Sequence, residues 1–203
     1  MHTTSNKAEL RSQLTKIRAQ GKSIALVPTM GNIHAGHLEL VRTARAQCDI
    51  VVSTIFVNPL QFGADEDLSS YPRTLEDDIS QLTSVACDYL FTPSVETIYG
   101  SSLAPKLNEK TIVRVPGLAE RFCGSSRPGH FDGVATVVSK LFNLVQPNTA
   151  FFGLKDYQQF LIIQKLSADL SYDIEIVGVE TLRDQSGLAL SSRNAYLSND
   201  QRD

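Results

Sequence analysis

Short apolar runs alternate with longer helical patterns along almost the whole chain, and this alternation limits the possible folds more than any other feature. The runs that predict strands are Ile24–Val27, Ile50–Phe56, Tyr89–Thr92, Thr111–Val115, Ala150–Gly153 and Ile174–Val179. The segments that predict helices are Ala8–Gln20, Gly36–Gln47, Thr74–Ala86, Val134–Leu144 and Tyr157–Leu170. Strands separated by helices of this length are typical of a parallel sheet with helices on both faces. The sequence therefore predicts an α/β, Rossmann-like fold.

Length, charge and cysteine content exclude several classes of protein. The 203 residues are enough for one sizeable core, and a net charge of −3 argues against a general nucleic-acid binder. The three cysteines, Cys48, Cys87 and Cys123, are widely spaced, which favours reduced thiols over disulfides or a zinc site. The polar N-terminus lacks a signal-peptide pattern, and no apolar run approaches the length of a membrane span. We therefore expect a cytoplasmic protein that binds neither nucleic acid nor a membrane.

The most informative motif is segment 30–37, which reads Met-Gly-Asn-Ile-His-Ala-Gly-His and joins the first long apolar run to a helix. His34 and His37 are three residues apart and should share one helix face, where free N–H groups and the helix dipole favour an anion. Gly36 leaves room for a ligand close to the backbone. One histidine at a helix start is more often a capping or surface residue, but two of the chain's four lie in this turn. Two imidazoles beside a bound phosphate are suited to nucleotidyl transfer, whereas we expect no role for His2.

Other polar residues follow the predicted strands, and ligands of open α/β sheets bind beyond the strands' carboxyl ends. Gln61 lies between two apolar residues and should be partly buried, so its amide needs partners. Arg127 and His130 lie in a glycine-containing loop and could hold an anion, although Arg127 could equally pair with a surface carboxylate. Lys155 stands at a predicted helix start, where a cation is unfavourable, so either an anionic ligand or a solvated lysine explains it.

Segment 187–194 adds two hydroxyls and a guanidinium after the last strand. Such groups suit triphosphate oxygens, and the planar guanidinium can bind two of them at once. The segment is a weak signal alone. Combined with the distant histidine motif it is strong, because nucleotidyl transfer requires positive charge on both sides of the phosphate chain.

These motifs together resemble the pantoate–β-alanine ligase family of the histidine-motif nucleotidylyltransferase superfamily. The matching segments are 28–37, 58–62, 71–73, 127–134, 155–159 and 191–194, and the resemblance extends from about Ile24 to Arg202. It implies that the carboxylate of (R)-pantoate attacks the α-phosphate of ATP to give pantoyl adenylate and pyrophosphate. The amine of β-alanine then attacks the adenylate, giving pantothenate and AMP. It further implies Mg²⁺ accompanying ATP, with its protein ligands unknown, and a homodimer.

The resemblance also implies roles for individual residues. The expected catalytic residues are His37 as proton donor, together with His34, Lys155 and Arg193. The expected ATP-binding residues are Met30, Gly31, His34, Gly36, His37, Gly153, Leu154, Lys155, Asp156, Leu182, Leu190, Ser191, Ser192 and Arg193. The expected pantoate-binding residues are Gln61, Gln159, Arg127 and His130, and Gln61 is also expected to bind β-alanine.

The resemblance predicts a domain organisation as well. Residues 1–190 would form the nucleotide- and pantoate-binding domain, and residues 191–203 a phosphate-binding segment and the start of a small C-terminal domain that closes over the site in the family. Because family members continue further, we expect a truncated chain with weak or no activity. Two alternatives are another nucleotidylyltransferase and a non-catalytic dimerising module. The neutral amides of Gln61 and Gln159 favour a hydroxy acid over a phosphate as acceptor.

Overall fold

The computed structural model describes residues 1–63, 66–100, 110–194 and 197–198, and its strands form one parallel sheet. The strands are β1 (His2–Thr4), β2 (Ile24–Thr29), β3 (Ile50–Ile55), β4 (Tyr89–Phe91), β5 (Thr149–Gly153) and β6 (Glu175–Val179). Their order across the sheet is β1-β4-β3-β2-β5-β6, and every neighbouring pair is parallel. The predicted α/β parallel fold is confirmed.

Helices cover both faces of this sheet. They are α1 (Lys7–Ala19), α2 (Ala35–Gln47), α3 (Leu75–Ser84), α4 (Val95–Tyr99), α5 (Cys123–Ser126), α6 (His130–Val145) and α7 (Tyr157–Asp169). Helices α1, α6 and α7 pack on one face, where Leu14, Phe142 and Ile162 are fully or almost fully buried. Helices α2 and α3 pack on the other face through Val41 and Leu82. Among the described residues, no helix combines the length and apolar character that a membrane crossing needs.

The structure differs from the predicted strands in two places, one strand that was missed and one that is absent among the described residues. The N-terminus forms β1, where the His2 N–H donates to the Asp88 carbonyl at 2.8 Å, so the edge of the sheet orders it. Residues 111–115 do not form a strand. There the Val113 N–H donates to Thr136 Oγ1 at 3.0 Å and Val115 is buried in the core. A side chain of α6 therefore satisfies the backbone that a neighbouring strand would have paired.

The strand order positions the candidate site. From β2 the chain proceeds outward through β3 and β4 on one side, whereas β5 and β6 lie on the other. The connections that follow β2 and β5 therefore diverge, and they open a crevice beyond the carboxyl ends of these two strands. The histidine motif follows β2 directly, and a 3₁₀ turn over Leu154–Asp156 follows β5.

Candidate active site

A cavity of about 230 Å³ lies at the crevice between β2 and β5. The predicted site residues that line it are Met30, His34, Gly36, His37, Gln61, Gly153, Lys155, Asp156, Gln159, Leu182, Leu190, Ser191, Ser192 and Arg193. His37 and Arg193 are far apart in sequence and nevertheless share this cavity. Four predicted site residues are not among the described residues that line the cavity, and these are Gly31, Leu154, Arg127 and His130.

The two imidazoles of the histidine motif lie against each other, with ring centroids 4.0 Å apart. His34 Nδ1 accepts from the Gly36 N–H at 3.1 Å, and His37 Nδ1 accepts from the His34 N–H at 3.3 Å. Because Nδ1 accepts in both rings, the proton of each neutral ring is on Nε2. Each ring therefore offers an Nε2–H donor that can bind an anion.

These contacts narrow the expectation that free backbone N–H groups of α2 form the anion site, because two of those groups already have partners. The Gly36 N–H is bound by the His34 ring, and the His37 N–H donates to the His34 carbonyl at 2.8 Å. The histidine side chains cap the helix, a task that serine, threonine, aspartate or asparagine usually performs. The donors available to a ligand here belong to the imidazoles.

Both imidazoles are neutral at neutral pH. Burial, together with smaller effects of the neighbouring His34 and Lys155, lowers the pKa of His37 to about 3. Burial also lowers the pKa of His34, with Lys155 as the second cause. A bound polyanion would oppose this effect, because a nearby negative charge favours the protonated ring.

A buried carboxylate holds the turn that leads into the histidine motif. Asp78 of α3 is 1% exposed, and its two oxygens accept from the Asn32 N–H at 3.0 Å and the Ile33 N–H at 2.8 Å. Gly31 and Asn32 both have positive φ angles, 84° and 50°, so this turn is left-handed. A Cβ on Gly31 would lie 3.0 Å from the Asp78 carboxylate. Gly31 thus shapes the backbone of the site from outside the cavity.

Gln61 is held by a second buried polar side chain that the sequence analysis missed. Asn58 is 1% exposed, and its Nδ2 donates to Gln61 Oε1 at 3.0 Å. The Tyr99 hydroxyl donates to Asn58 Oδ1 at 2.7 Å, which fixes the orientation of the Asn58 amide. Gln61 Nε2 lies 3.1 Å from Met30 Sδ at the cavity wall. With its oxygen bound by Asn58 and one N–H directed at Met30 Sδ, Gln61 can offer its second N–H to a ligand.

Helix α6 forms an apolar wall of the same cavity. Val134, Val137, Val138 and Leu141 line it, a spacing that places them on one helix face. The preceding Gly133 is the point of closest approach between α6 and the turn that carries Gln61. A Cβ there would lie 2.3 Å from the Leu60 carbonyl oxygen. The missing side chain therefore allows the apolar wall and the Gln61 amide to meet.

The cations enter from two later segments. Lys155 is 37% exposed at its side chain, and its Nζ lies 3.4 Å from Asp156 Oδ1. Arg193 donates to Asp67 through Nη2 at 2.8 Å and Nε at 3.0 Å. The segment of Arg193 is attached to the histidine motif by reciprocal hydrogen bonds of 3.1 Å between Asn32 and Ser192. This attachment keeps the late segment at the cavity.

Arg127 and His130 lie outside the described cavity lining, where His130 contacts the turn of Gln61 and Arg127 contacts His130. Arg127 forms a two-pronged ion pair with Glu66, with contacts of 2.6 and 2.7 Å. His130 Nδ1 lies 2.7 Å from the Gln61 carbonyl oxygen. The carboxylate partner that the sequence left open for Arg127 is present. Direct contact of either residue with pantoate stays an untested prediction.

Comparison with known proteins identifies relatives over the whole chain. The sequence profile of the family described as pantoate-beta-alanine ligase matches residues 2–203. The pantothenate synthetase of Chromohalobacter salexigens is 61% identical over 98% of this chain and 69% of its own. That of Shewanella amazonensis is 55% identical over 100% of this chain and 70% of its own.

Solved structures agree with the sequence relatives. The pantothenate synthetase of Thermus thermophilus has a TM-score of 0.92 and 49% identity, with 100% of this chain and 70% of that chain covered. The pantoate-beta-alanine ligase of Francisella tularensis, solved in complex with β,γ-ATP and β-alanine, has a TM-score of 0.91 and 38% identity. That match covers 98% of this chain and 74% of the other.

Proposed function

The chain belongs to the pantoate–β-alanine ligase family, and from this premise we propose how its residues join pantoate to β-alanine with ATP. In the first step a carboxylate oxygen of (R)-pantoate attacks the α-phosphorus, the bond to the oxygen bridging to the β-phosphate breaks, and pyrophosphate leaves. In the second step the amine of β-alanine attacks the acyl carbon, the bond to the AMP oxygen breaks, and the nitrogen loses a proton. One observation carries the residue assignments: imidazoles, cations, amides and an apolar wall line one cavity.

His34 and His37 act on the α-phosphate. Their Nε2–H groups stabilise the charge that develops on its oxygens as the carboxylate attacks. Triphosphate binding raises the pKa of His37, which allows this residue to serve as the family's proton donor. Lys155 and Arg193 assist catalysis by neutralising the triphosphate, and the hydroxyls of Ser191 and Ser192 bind its oxygens.

The nucleoside lies between β2 and β5. The Asp156 carboxylate accepts from the ribose hydroxyls beside Gly153, where a Cβ would meet nothing within 4 Å, so the space is open. The remaining ATP-binding residues act through their backbone or apolar surface, and they are Met30, Gly31, Gly36, Leu154, Leu182 and Leu190. Of these, Gly31 and Leu154 do not line the cavity and support ATP binding by shaping the segments that do.

Pantoate binds between the amides and helix α6. Gln61 and Gln159 hydrogen-bond its hydroxyl and carboxylate oxygens, and Gln61 also meets β-alanine as it arrives. Pantoate carries two methyl groups on one carbon, which suits the apolar face formed by Val134, Val138 and Leu141. Arg127 and His130 remain part of this half of the site.

Magnesium accompanies ATP in this proposal. Within the described ranges, no group of three histidine, cysteine, aspartate or glutamate side chains could hold a metal ion. Mg²⁺ prefers oxygen ligands and keeps several waters, so we expect phosphate oxygens and water to bind it. When bound, it would supply positive charge to the triphosphate.

The resemblance supports a cytoplasmic homodimer. The wide spacing of the three cysteines favours reduced thiols, which are typical of the cytoplasm, where ATP is abundant. Light scattering measures the mass in solution, and a monomer would contradict the dimer.

The division between residues 1–190 and 191–203 is also a proposal, and residues 195–196 and 199–203 lie outside the described residues.

Pantoate-dependent exchange of labelled pyrophosphate into ATP tests the assignment to adenylation. We expect His37→Ala to lose the weak exchange of the intact chain, because the imidazole acts on the transition state. Loss of the capping contact to the His34 N–H should lower the free energy of unfolding by only about 0.5–2 kcal/mol, so the variant stays folded. His2→Ala, at the sheet edge, is the matched control. Unchanged exchange in His37→Ala would remove this residue from the catalytic set.

The two alternatives predict different results. A nucleotidylyltransferase for a phosphate acceptor would release pyrophosphate with that acceptor and not with pantoate. A non-catalytic dimerising module would give no heat with either ATP or pantoate in isothermal titration. The neutral amides of Gln61 and Gln159 line the same cavity as the apolar wall, which favours pantoate over a phosphate as acceptor.

A further inference from the structure

We propose that Glu66 is a positioning residue that acts through Arg127 and His130 to fix the Gln61 backbone and holds His130 in its Nδ1–H tautomer. We call these three side chains and the Gln61 carbonyl the Glu66 network. The effect on substrate binding rests on the proposed role of Gln61 in binding pantoate and β-alanine.

The contacts of the Glu66 network are continuous. Glu66 Oε1 and Oε2 accept from Arg127 Nε at 2.6 Å and Nη2 at 2.7 Å. Arg127 Nη1 lies 3.0 Å from His130 Nε2, and His130 Nδ1 lies 2.7 Å from the Gln61 carbonyl oxygen. The network therefore connects a carboxylate in one loop to the backbone of a proposed substrate ligand.

Chemistry allows only one protonation state of His130 in this arrangement. A guanidinium has only donors, so Nε2 must accept from Arg127 and carries no proton. A carbonyl has only acceptors, so Nδ1 must carry the proton and donate to Gln61. A cationic ring would direct an N–H at the guanidinium. The neutral state is also favoured by burial, which lowers the pKa of His130.

The same contacts argue for an indirect role of His130. Both ring nitrogens are already bound within the Glu66 network, so direct binding of pantoate would require one of these hydrogen bonds to break. Neither His130 nor Arg127 is among the described residues that line the cavity. Arg127 and Glu66 are about one quarter exposed, at 30% and 26% of their side chains, so water screens their ion pair only in part.

The tautomer is directly measurable. Long-range ¹H–¹⁵N spectra of protein with labelled histidine distinguish protonated from unprotonated ring nitrogens, and His130→Gln assigns the signals. We expect the Nδ1–H form in the intact chain at pH 7.5. An Nε2–H or doubly protonated ring would overturn the proposal.

Two variants test whether geometry or charge matters. Arg127→Lys keeps the charge but replaces the planar fork with a single ammonium, which cannot reproduce the two parallel contacts to Glu66 together with the contact to His130. Glu66→Gln keeps the shape but loses the charge that orients the fork. We expect both to mix the His130 tautomers and to weaken pantoate binding about tenfold in calorimetry, while ATP affinity changes by less than about twofold.

A matched control is Glu39→Gln, which removes an exposed carboxylate paired with Arg42 on α2. It should leave both the tautomer and pantoate affinity unchanged. Wild-type tautomer and pantoate affinity in Arg127→Lys and Glu66→Gln would overturn the proposal.

Gln61→Ala separates this proposal from the proposed function. If that variant binds pantoate as tightly as the intact chain, Gln61 does not bind pantoate, and the residue assignment fails. The tautomer measurement still decides the Glu66 network in that case, because it requires no substrate.

Discussion

Lys155 acts electrostatically on both imidazoles, since its positive charge contributes to lowering the pKa of His34 and that of His37. Its own described ion-pair partner is Asp156 at 3.4 Å, a long contact that leaves the ammonium available to phosphate. We expect Lys155→Ala to weaken ATP binding by about 1.5–3 kcal/mol, the range for a hydrogen bond to a charged group. Isothermal titration measures this change.

Lys165→Ala is the matched control for this prediction. Lys165 lies on α7 and pairs with Asp169 at 2.8 Å, away from the described cavity residues. Its removal should leave ATP affinity unchanged. Equal affinities in the two variants would make Lys155 a solvated surface lysine, the interpretation that the sequence left open.

At the scale of single residues, the sequence predicted those site residues whose neighbours in the chain already form a motif. His34, His37 and Lys155 belong to this group, and all three line the cavity. Asp78 and Asn58 were missed. Asp78 binds backbone amides 45 and 46 positions away, and the partner of Asn58 at Tyr99 is 41 positions away. Such contacts arise only when the fold brings separate segments together.

The Asp78 carboxylate links α3 to the histidine motif, beside a hydrogen bond of 3.2 Å from Gln81 Nε2 to the Ile33 carbonyl oxygen. Asp78→Asn replaces one acceptor oxygen with an NH₂ group that opposes the N–H of Asn32 or Ile33. We expect the free energy of unfolding to fall by about 1–3 kcal/mol, because a buried donor loses its partner. Pyrophosphate exchange should fall as well, since the turn before His34 loses its support. Urea denaturation and the exchange assay measure the two effects.

The neighbouring Asp77 offers the control for this substitution. Asp77→Asn makes the same chemical change at an exposed position of the same helix. It should leave stability within about 0.5 kcal/mol of the intact chain. If Asp78→Asn proved equally harmless, the carboxylate would not support the motif.

Helix α6 and the Gln61 turn meet through a glycine. In Gly133→Ala the new Cβ would lie 2.3 Å from the Leu60 carbonyl oxygen and 2.6 Å from the Gln61 nitrogen. Alanine favours a helix by about 1 kcal/mol over glycine, but a clash with backbone atoms forces the elements apart. We therefore expect a net loss of stability of about 1–3 kcal/mol and weaker pantoate binding.

The control is Gly63→Ala, whose Cβ would meet Glu66 Cγ at an ordinary 3.7 Å. It should change stability and pantoate affinity little. Wild-type pantoate affinity in Gly133→Ala would show that the close approach is not needed to place Gln61.

At the scale of elements, apolar periodicity located the long helices and the central strands to within a few residues. It failed at β1, a three-residue strand with polar side chains that pairs only at the edge of the sheet. It failed again at residues 111–115, where the pattern resembles a strand. Periodicity reports which side chains are buried, and Val115 is buried without a strand partner.

Across the whole molecule, half-buried histidines connect stability to pH. Burial is the first cause that lowers the pKa of His34, His37 and His130. An unfolded histidine has a pKa of about 6.5, so below that pH the unfolded chain binds protons that the folded chain does not. The stabilising contribution is therefore complete above about pH 6.5, and it is lost as the pH falls toward the folded-state pKa, about 3 for His37.

We expect the free energy of unfolding in urea to decrease from pH 7.5 to pH 5. His37→Gln cannot titrate, so the slope should become smaller by up to one proton, or about 1.36 kcal/mol per pH unit. The carboxyls of Glu66 and Asp67 have pKa values lowered by their arginine partners, so they stay charged throughout this range. His2→Gln at the sheet edge is the control, and an unchanged slope in His37→Gln would contradict the prediction.

The ion pair between Arg193 and Asp67 affects which anions this chain can accept. The guanidinium is already bound by a carboxylate through two contacts and lies 5.6 Å above the ring of Tyr71. If Arg193 binds the triphosphate as proposed, an incoming phosphate must displace the Asp67 carboxylate from the guanidinium. Small anions that form only one or two contacts gain little from that exchange. In the proposed site a triphosphate also binds groups elsewhere in the crevice, so the Asp67 carboxylate would favour multivalent ligands over the monovalent salt of the surrounding solution.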